Sequence, residues 1–172
     1  MTKMIDGLLA ELEQEAETTR RVLERIPQAH LSWKPHPKSM SLGQLALHVA
    51  TVPGNVAELA AMDTIPEPPS FVQAEAASAA ELVPTLQDSV ARARTALGGF
   101  DDSRMEETWR LQSGGQDILA MPRGAVVRAI MLNHWYHHRG QLLVYLRLLN
   151  HSVPSVYGPT ADENPFRPAV PA

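Results

Sequence analysis

Apolar residues along this chain recur mostly at intervals of three and four, a spacing that predicts four long amphipathic helices. The first runs from about Thr2 to Ile26, with Ile5, Leu8, Leu9, Leu12, Ala16, Thr19, Val22, Leu23 and Ile26 at helical spacing and acids and arginines between them. Pro27 closes it. Ser41 offers a side-chain oxygen suited to cap a second helix, Leu42 to about Met62. Pro53 should kink or split that helix, because proline lacks an N–H and its ring crowds the preceding turn. Ser78 with Glu81 three residues on reads as a capping box for a third helix, which runs to about Leu97 and is closed by Gly98 and Gly99. Pro84 argues for a start nearer residue 83. Pro122 reads as the first position of a fourth helix, Arg123 to about Asn150.

The 14 prolines and 10 glycines gather between these segments and divide the chain. Ser32 to Lys38 and Ile65 to Ser70 read as irregular. Ser113, Gly114 and Gly115, flanked by Glu107–Leu111 and Gln116–Ala120, predict a short hairpin before the last helix. Val153 to Ala172 carries five of the prolines and reads as an extended, irregular tail. No repeat divides the chain. The reading is all-α: one four-helix-bundle domain over residues 1–172, with a hairpin insertion.

Composition narrows the function classes. With no cysteine among 172 residues, disulfide scaffolds, thiolate zinc sites and cysteine nucleophiles are excluded. A net charge of −4 and a pI near 5.9 argue against nucleic acid as a partner. Apolar runs such as Leu142–Leu146 are far shorter than the roughly 20 residues of a membrane span. Lys3, Asp6 and Glu11 interrupt the N-terminal segment, so no signal peptide is visible and a cytoplasmic protein is the default expectation.

Seven histidines remain, three of them within Asn133–Gln141. At about 100° per residue, His134 and His138 share an arc with Val127, Ile130, Met131, Tyr145, Leu148 and Leu149. Gln141 falls on that arc, His137 at its margin, and Arg139 and Gly140 point away. On the second helix His48 lines up with Leu45, Val52, Val56 and Leu59. Three imidazoles on two helices are thus aimed at one interior. An unmatched buried polar group costs on the order of 1–3 kcal/mol, so the cluster needs either a hydrogen-bonded network or a metal ion. Histidines at i and i+4 can share an ion, and a third from a facing helix makes a three-nitrogen set with open positions, the arrangement of catalytic sites. Imidazole-only ligation suits zinc, nickel, iron or copper better than calcium or magnesium.

His48 in its leucine-rich helix, the run His134-Trp-Tyr-His-His-Arg-Gly-Gln141 and the Pro154-x-x-Tyr-Gly-Pro159 segment together resemble the DinB/YfiT-like family over roughly residues 5 to 166. The resemblance implies an up-down-down-up four-helix bundle, commonly dimeric, with one divalent transition metal per chain held by three histidines. Carried over by position, the ligands are His48, His134 and His138, with zinc or nickel first and iron, manganese or copper as alternatives. Relatives in the wider family include transferases and isomerases that use low-molecular-weight thiols. The resemblance therefore implies a small-molecule substrate and a thiol co-substrate.

Around that set, Gln44, His137 and Gln141 are candidates to orient imidazoles. Core-packing glutamines and a helix-edge histidine are the plainer readings. Trp135 and Tyr136, for which packing is the plainer reading, also read as exposed-side aromatics that, with the resemblance and the proline-rich tail, suggest a homodimer. Trp33 and Trp109 read as packing. Gly140 fits a close helix contact, and Arg139 a bond to a neighbouring loop. Asp162 and Glu163 read as a cap, a partner of Arg139, or a solvated turn. His30, His36 and His151 fall in turns and are expected to be exposed. Three functions remain open: thiol-dependent transferase chemistry, metal-dependent hydrolysis, and a non-catalytic metal or hydrogen-bonded site.

Overall fold

A computed structural model describes residues 3–70 and 73–166 of the chain. Thr2 and the last residues of the tail lie outside the described residues. The described structure is mostly helical, with a small three-stranded sheet inserted before the last long helix.

Helix α1 spans Met4–Leu23 and buries Ile5, Leu8, Leu12, Thr19, Val22 and Leu23, the stripe its periodicity predicts. Buried among them is also a charged residue, Glu15. Helix α2 spans Leu42–Ala61 and begins at a capping box: the Ser41 hydroxyl accepts from the Gln44 N–H, and the Gln44 side chain accepts from the Ser41 N–H. Pro53 does not split it. Proline at 53 leaves the Val49 carbonyl without its intrahelical donor, and the Trp135 indole N–H takes that donor's place at 2.8 Å. The Ser89 hydroxyl repairs the neighbouring turn, accepting from the Gly54 N–H and donating to the Thr51 carbonyl. A Cβ at Gly54 would lie 2.8 Å from the Ser89 carbonyl oxygen, so only glycine lets these two helices approach this closely.

Helix α3 spans Leu82–Leu97. The capping box expected at Ser78 is not formed. Residues 79–81 make a 3₁₀ turn, Ser78 contributes no side-chain cap, and Glu81 accepts instead from the Ala77 N–H. The helix therefore starts where Pro84 falls in its first turn, as the proline requires. Its end needs no left-handed glycine: Gly98 keeps a right-handed conformation.

A short helix α4, Asp102–Glu106, leads into the sheet. Strands β2 (Thr108–Ser113) and β3 (Gln116–Pro122) form the expected hairpin, turned by Gly114 and Gly115 at φ +57° and +77°, the paired positive values of a type I′ turn. Strand β1, Thr64–Ile65, pairs parallel with β2 where composition alone indicated a loop. Ile65 is buried there, and two residues carry no usable periodicity.

Pro122 closes β3, and the last helix begins at Arg123 with α5, Arg123–Val126. A π-helical stretch, Val127–Asn133, then leads into α6, His134–Leu148. The wider turn changes the phase of everything beyond it. The buried line runs Val127, Met131, Trp135, Arg139, Leu142, Leu146, rather than through His134 and His138. Trp135, read as exposed, is fully buried. Arg139, read as pointing away, is 1% exposed, and Leu148, placed on the apolar arc, is 57% exposed. Gly140 faces open space, not a packed helix.

The tail is irregular but held. Arg139 pairs with Glu15 at 2.6 Å and donates to the Thr19 hydroxyl and the Tyr157 hydroxyl. Tyr157 in turn donates to Glu15. Glu163 pairs with Arg21 and Arg25, and Asp162 with Arg147, so neither acid meets Arg139. At the other end, buried Arg123 donates to the Ala60 and Met62 carbonyls at the C-terminus of α2. No helix among the described residues is long and apolar enough to cross a membrane.

Candidate metal centre

His48 lies at the middle of α2, and His134 and His138 occupy successive turns of α6. The ligand nitrogens of all three lie within 4.8 Å of one another. His138 Nε2 is 2.7 Å from His134 Nε2, which is 3.5 Å from His48 Nε2. Three nitrogens each about 2.0–2.1 Å from one tetrahedral ion would sit roughly 3.3–3.4 Å apart, a spacing that the two distances bracket. No carboxylate among the described residues joins the group. Each imidazole is half-buried, at the edge of the core.

The tautomers are constrained from behind. Gln141 presents its amide oxygen to His138 Nδ1 at 2.8 Å, while its amide nitrogen donates to His137 Nε2 at 3.0 Å. At the end of the π stretch the His134 backbone N–H reaches the Ala129 and Met131 carbonyls. With its Nδ1 engaged by the Gln141 amide oxygen, His138 turns its Nε2 lone pair toward His134 Nε2. Two imidazole nitrogens 2.7 Å apart need a proton or a cation between them. The donor set therefore fits a metal ion.

Burial and mutual repulsion keep the cluster unprotonated. Burial first, then the fields of His138 and His134, lower His48 to about 4. Burial also lowers His134, with the Ile130 carbonyl opposing, and lowers His138, with Gln141 opposing. Neutral imidazoles at pH 7 are ready ligands, with no proton to displace.

Of the residues proposed to orient the imidazoles, Gln141 makes direct contact with His138 and links it to His137, which is exposed. Gln44 does not reach the cluster. Its oxygen serves the α2 capping box and its nitrogen donates to the Gln73 carbonyl at 3.0 Å. Trp135 and Trp109 pack in the core, their indole N–H groups donating to the Val49 and Leu59 carbonyls. His30 and His151 are half-buried and meet edge to face at 5.9 Å, correcting the expectation of full exposure. The π turn at Val127–Asn133 escaped sequence reading altogether, because nothing in its residues announces it.

The DinB family model matches residues 1–165, so the chain belongs to the DinB family. It is 26% identical over 164 residues to the uncharacterized protein YrdA of Bacillus subtilis strain 168, covering 95% of this chain and 93% of that one. Its fold resembles the crystal structure of a DinB-like protein from Bacillus cereus ATCC 10987, with a TM-score of 0.69 and 24% identity over 91% of this chain and all of the other. The DinB-like protein YjoA of Bacillus subtilis gives a TM-score of 0.67 at 20% identity, over 87% of this chain and 96% of that one.

Proposed function

We propose that the chain binds one divalent transition ion, zinc or nickel before iron, manganese or copper, through His48, His134 and His138, and works as a metal-dependent enzyme on a small molecule. The supporting observation is the convergence of three imidazole nitrogens without a fourth protein ligand among the described residues. A closed structural site would carry four. An ion held by His48, His134 and His138 would supply Lewis acidity that lowers the pKa of a thiol co-substrate.

The chain's own residues prepare that site. Gln141 holds the His138 imidazole in register, and burial keeps His48 neutral. Hydrolysis is the weaker reading, because no described carboxylate joins the cluster as a base. Glu58, which lines the adjoining cavity, is paired with Arg92 at 2.9 Å. The up-down-down-up order of the four long helices, a cytoplasmic setting and a homodimer belong to the same proposal. With Trp135 buried, the dimer draws its support from Val144 and Leu148, which are exposed one turn apart on α6.

Elemental analysis of protein prepared without chelator should find about one transition ion per chain, and His134→Ala should lose it. Adding a thiol to the cobalt- or nickel-loaded protein should produce a sulfur-to-metal charge-transfer band that imidazole suppresses. Full metal occupancy in His134→Ala would overturn the ligand set. Full occupancy of the wild type, with no band from any thiol, would overturn the thiol chemistry.

A further inference from the structure

A cavity of about 690 Å³ adjoins the imidazole cluster, and His48 and His134 form part of its wall. That volume lies within the range of small-molecule sites, roughly 300–1,000 Å³. Beyond the two histidines the wall is chiefly hydrocarbon, from Leu47, Val52, Val56, Leu59 and Ile130, with Met62, 48% exposed, also lining it. Its polar groups are largely engaged elsewhere. The Thr51 hydroxyl donates to the Leu47 and His48 carbonyls, the Asn55 side-chain oxygen accepts from Arg92, and Glu58 pairs with the same guanidinium. No lysine or arginine is among the described residues that line it. Away from the imidazole end, an ionised group entering this space would leave water without meeting a lysine or arginine among the described residues, whereas each buried methylene would be favoured.

We infer that the cavity receives an uncharged, apolar arm of the substrate, an alkyl or aryl group, while the reacting end lies at the three imidazoles. Where the reacting end lies depends on the metal reading above; the preference for an apolar arm depends on the wall alone.

Linear alcohols from butanol to octanol, competing against an uncharged solvatochromic dye, test the arm without any sulfur–metal bond. In both the metal-loaded protein and His134→Ala, each added methylene should tighten binding about three- to fourfold until the cavity is filled. In His134→Ala, which lacks the ion, hexanoate should compete at least tenfold more weakly than hexanol. Met62→Lys, at an exposed position that folding tolerates, should narrow that gap by placing a cation at the wall. A flat response to chain length, or equal binding of hexanoate and hexanol by His134→Ala, would overturn the inference. Alkyl thiols added to the cobalt-loaded protein then separate the two readings. A chain-length response among alcohols, with no thiol band, would keep the cavity assignment and remove the thiol chemistry.

Discussion

His138 and Arg139 are neighbours in sequence and serve opposite ends on α6. Arg139 enters the core, where its guanidinium meets the Glu15 carboxylate, the Thr19 and Tyr157 hydroxyls and the Glu15 carbonyl. Its planar group lies 5.2 Å from the ring centres of both Tyr136 and Tyr157. The cluster is closed and its charges are matched, so it ties α1, α6 and the tail together. His138 stays at the edge of the core beside His134 and His48, and their nitrogens face one another without a carboxylate among them. A satisfied polar cluster holds a fold together, whereas an incomplete one leaves room for a ligand.

That contrast predicts separate failures. Glu15→Ala leaves the Arg139 charge buried without its partner and should cost about 3–5 kcal/mol in urea unfolding. The double change of Glu15 and Arg139 to methionine should recover most of that loss. His138→Ala should abolish metal uptake, yet cost the metal-free protein less than about 1 kcal/mol, because the ring is half-exposed and its removal relieves repulsion. Comparable unfolding costs for Glu15→Ala and His138→Ala would erase the distinction.

Trp135 braces the helix beside the cluster. Trp135→Phe should cost about 1–3 kcal/mol by orphaning the Val49 carbonyl. In a Pro53→Ala background the backbone N–H restored at position 53 can serve that carbonyl, so the same change should cost less. Equal costs in the two backgrounds would show that the indole bond is incidental.

Gln141→Ala sharpens the comparison from the metal side. Without its amide the His138 ring is free to turn, and metal affinity should fall about 10–100-fold in a competition titration, with little change in unfolding. The smallest effect is that of pH. Because His48 is lowered from 6.5 to about 4, and His134 and His138 are also lowered, the unfolded chain binds protons that the folded one refuses. Stability of the metal-free protein should therefore fall as pH drops from about 6.5 toward about 5.5, above the range where carboxylates titrate. Replacing His48 with Gln should flatten that slope.

Much of this was legible without a structure, wherever the signal is local. Spacing located the four long helices, Ser41 its cap, and Gly114 with Gly115 the hairpin turn. It also brought His48, His134 and His138 to one place, since an i,i+4 pair shares a helix face whatever the phase of its neighbours. Tertiary packing decided the rest. A π turn at Val127–Asn133 rotates the buried line onto Trp135 and Arg139, and no residue within it signals the extra width. The partners that make Arg139 a core residue, Glu15 and Tyr157, lie far back on α1 and in the tail respectively. Strand β1 exists only because β2 runs alongside it, and Gln44 was lost to a cap that competes for the same side chain. Local periodicity is written in the chain itself, but a buried charge, a helix register and a two-residue strand take their free energy from partners distant in sequence. Only the folded arrangement brings those partners together.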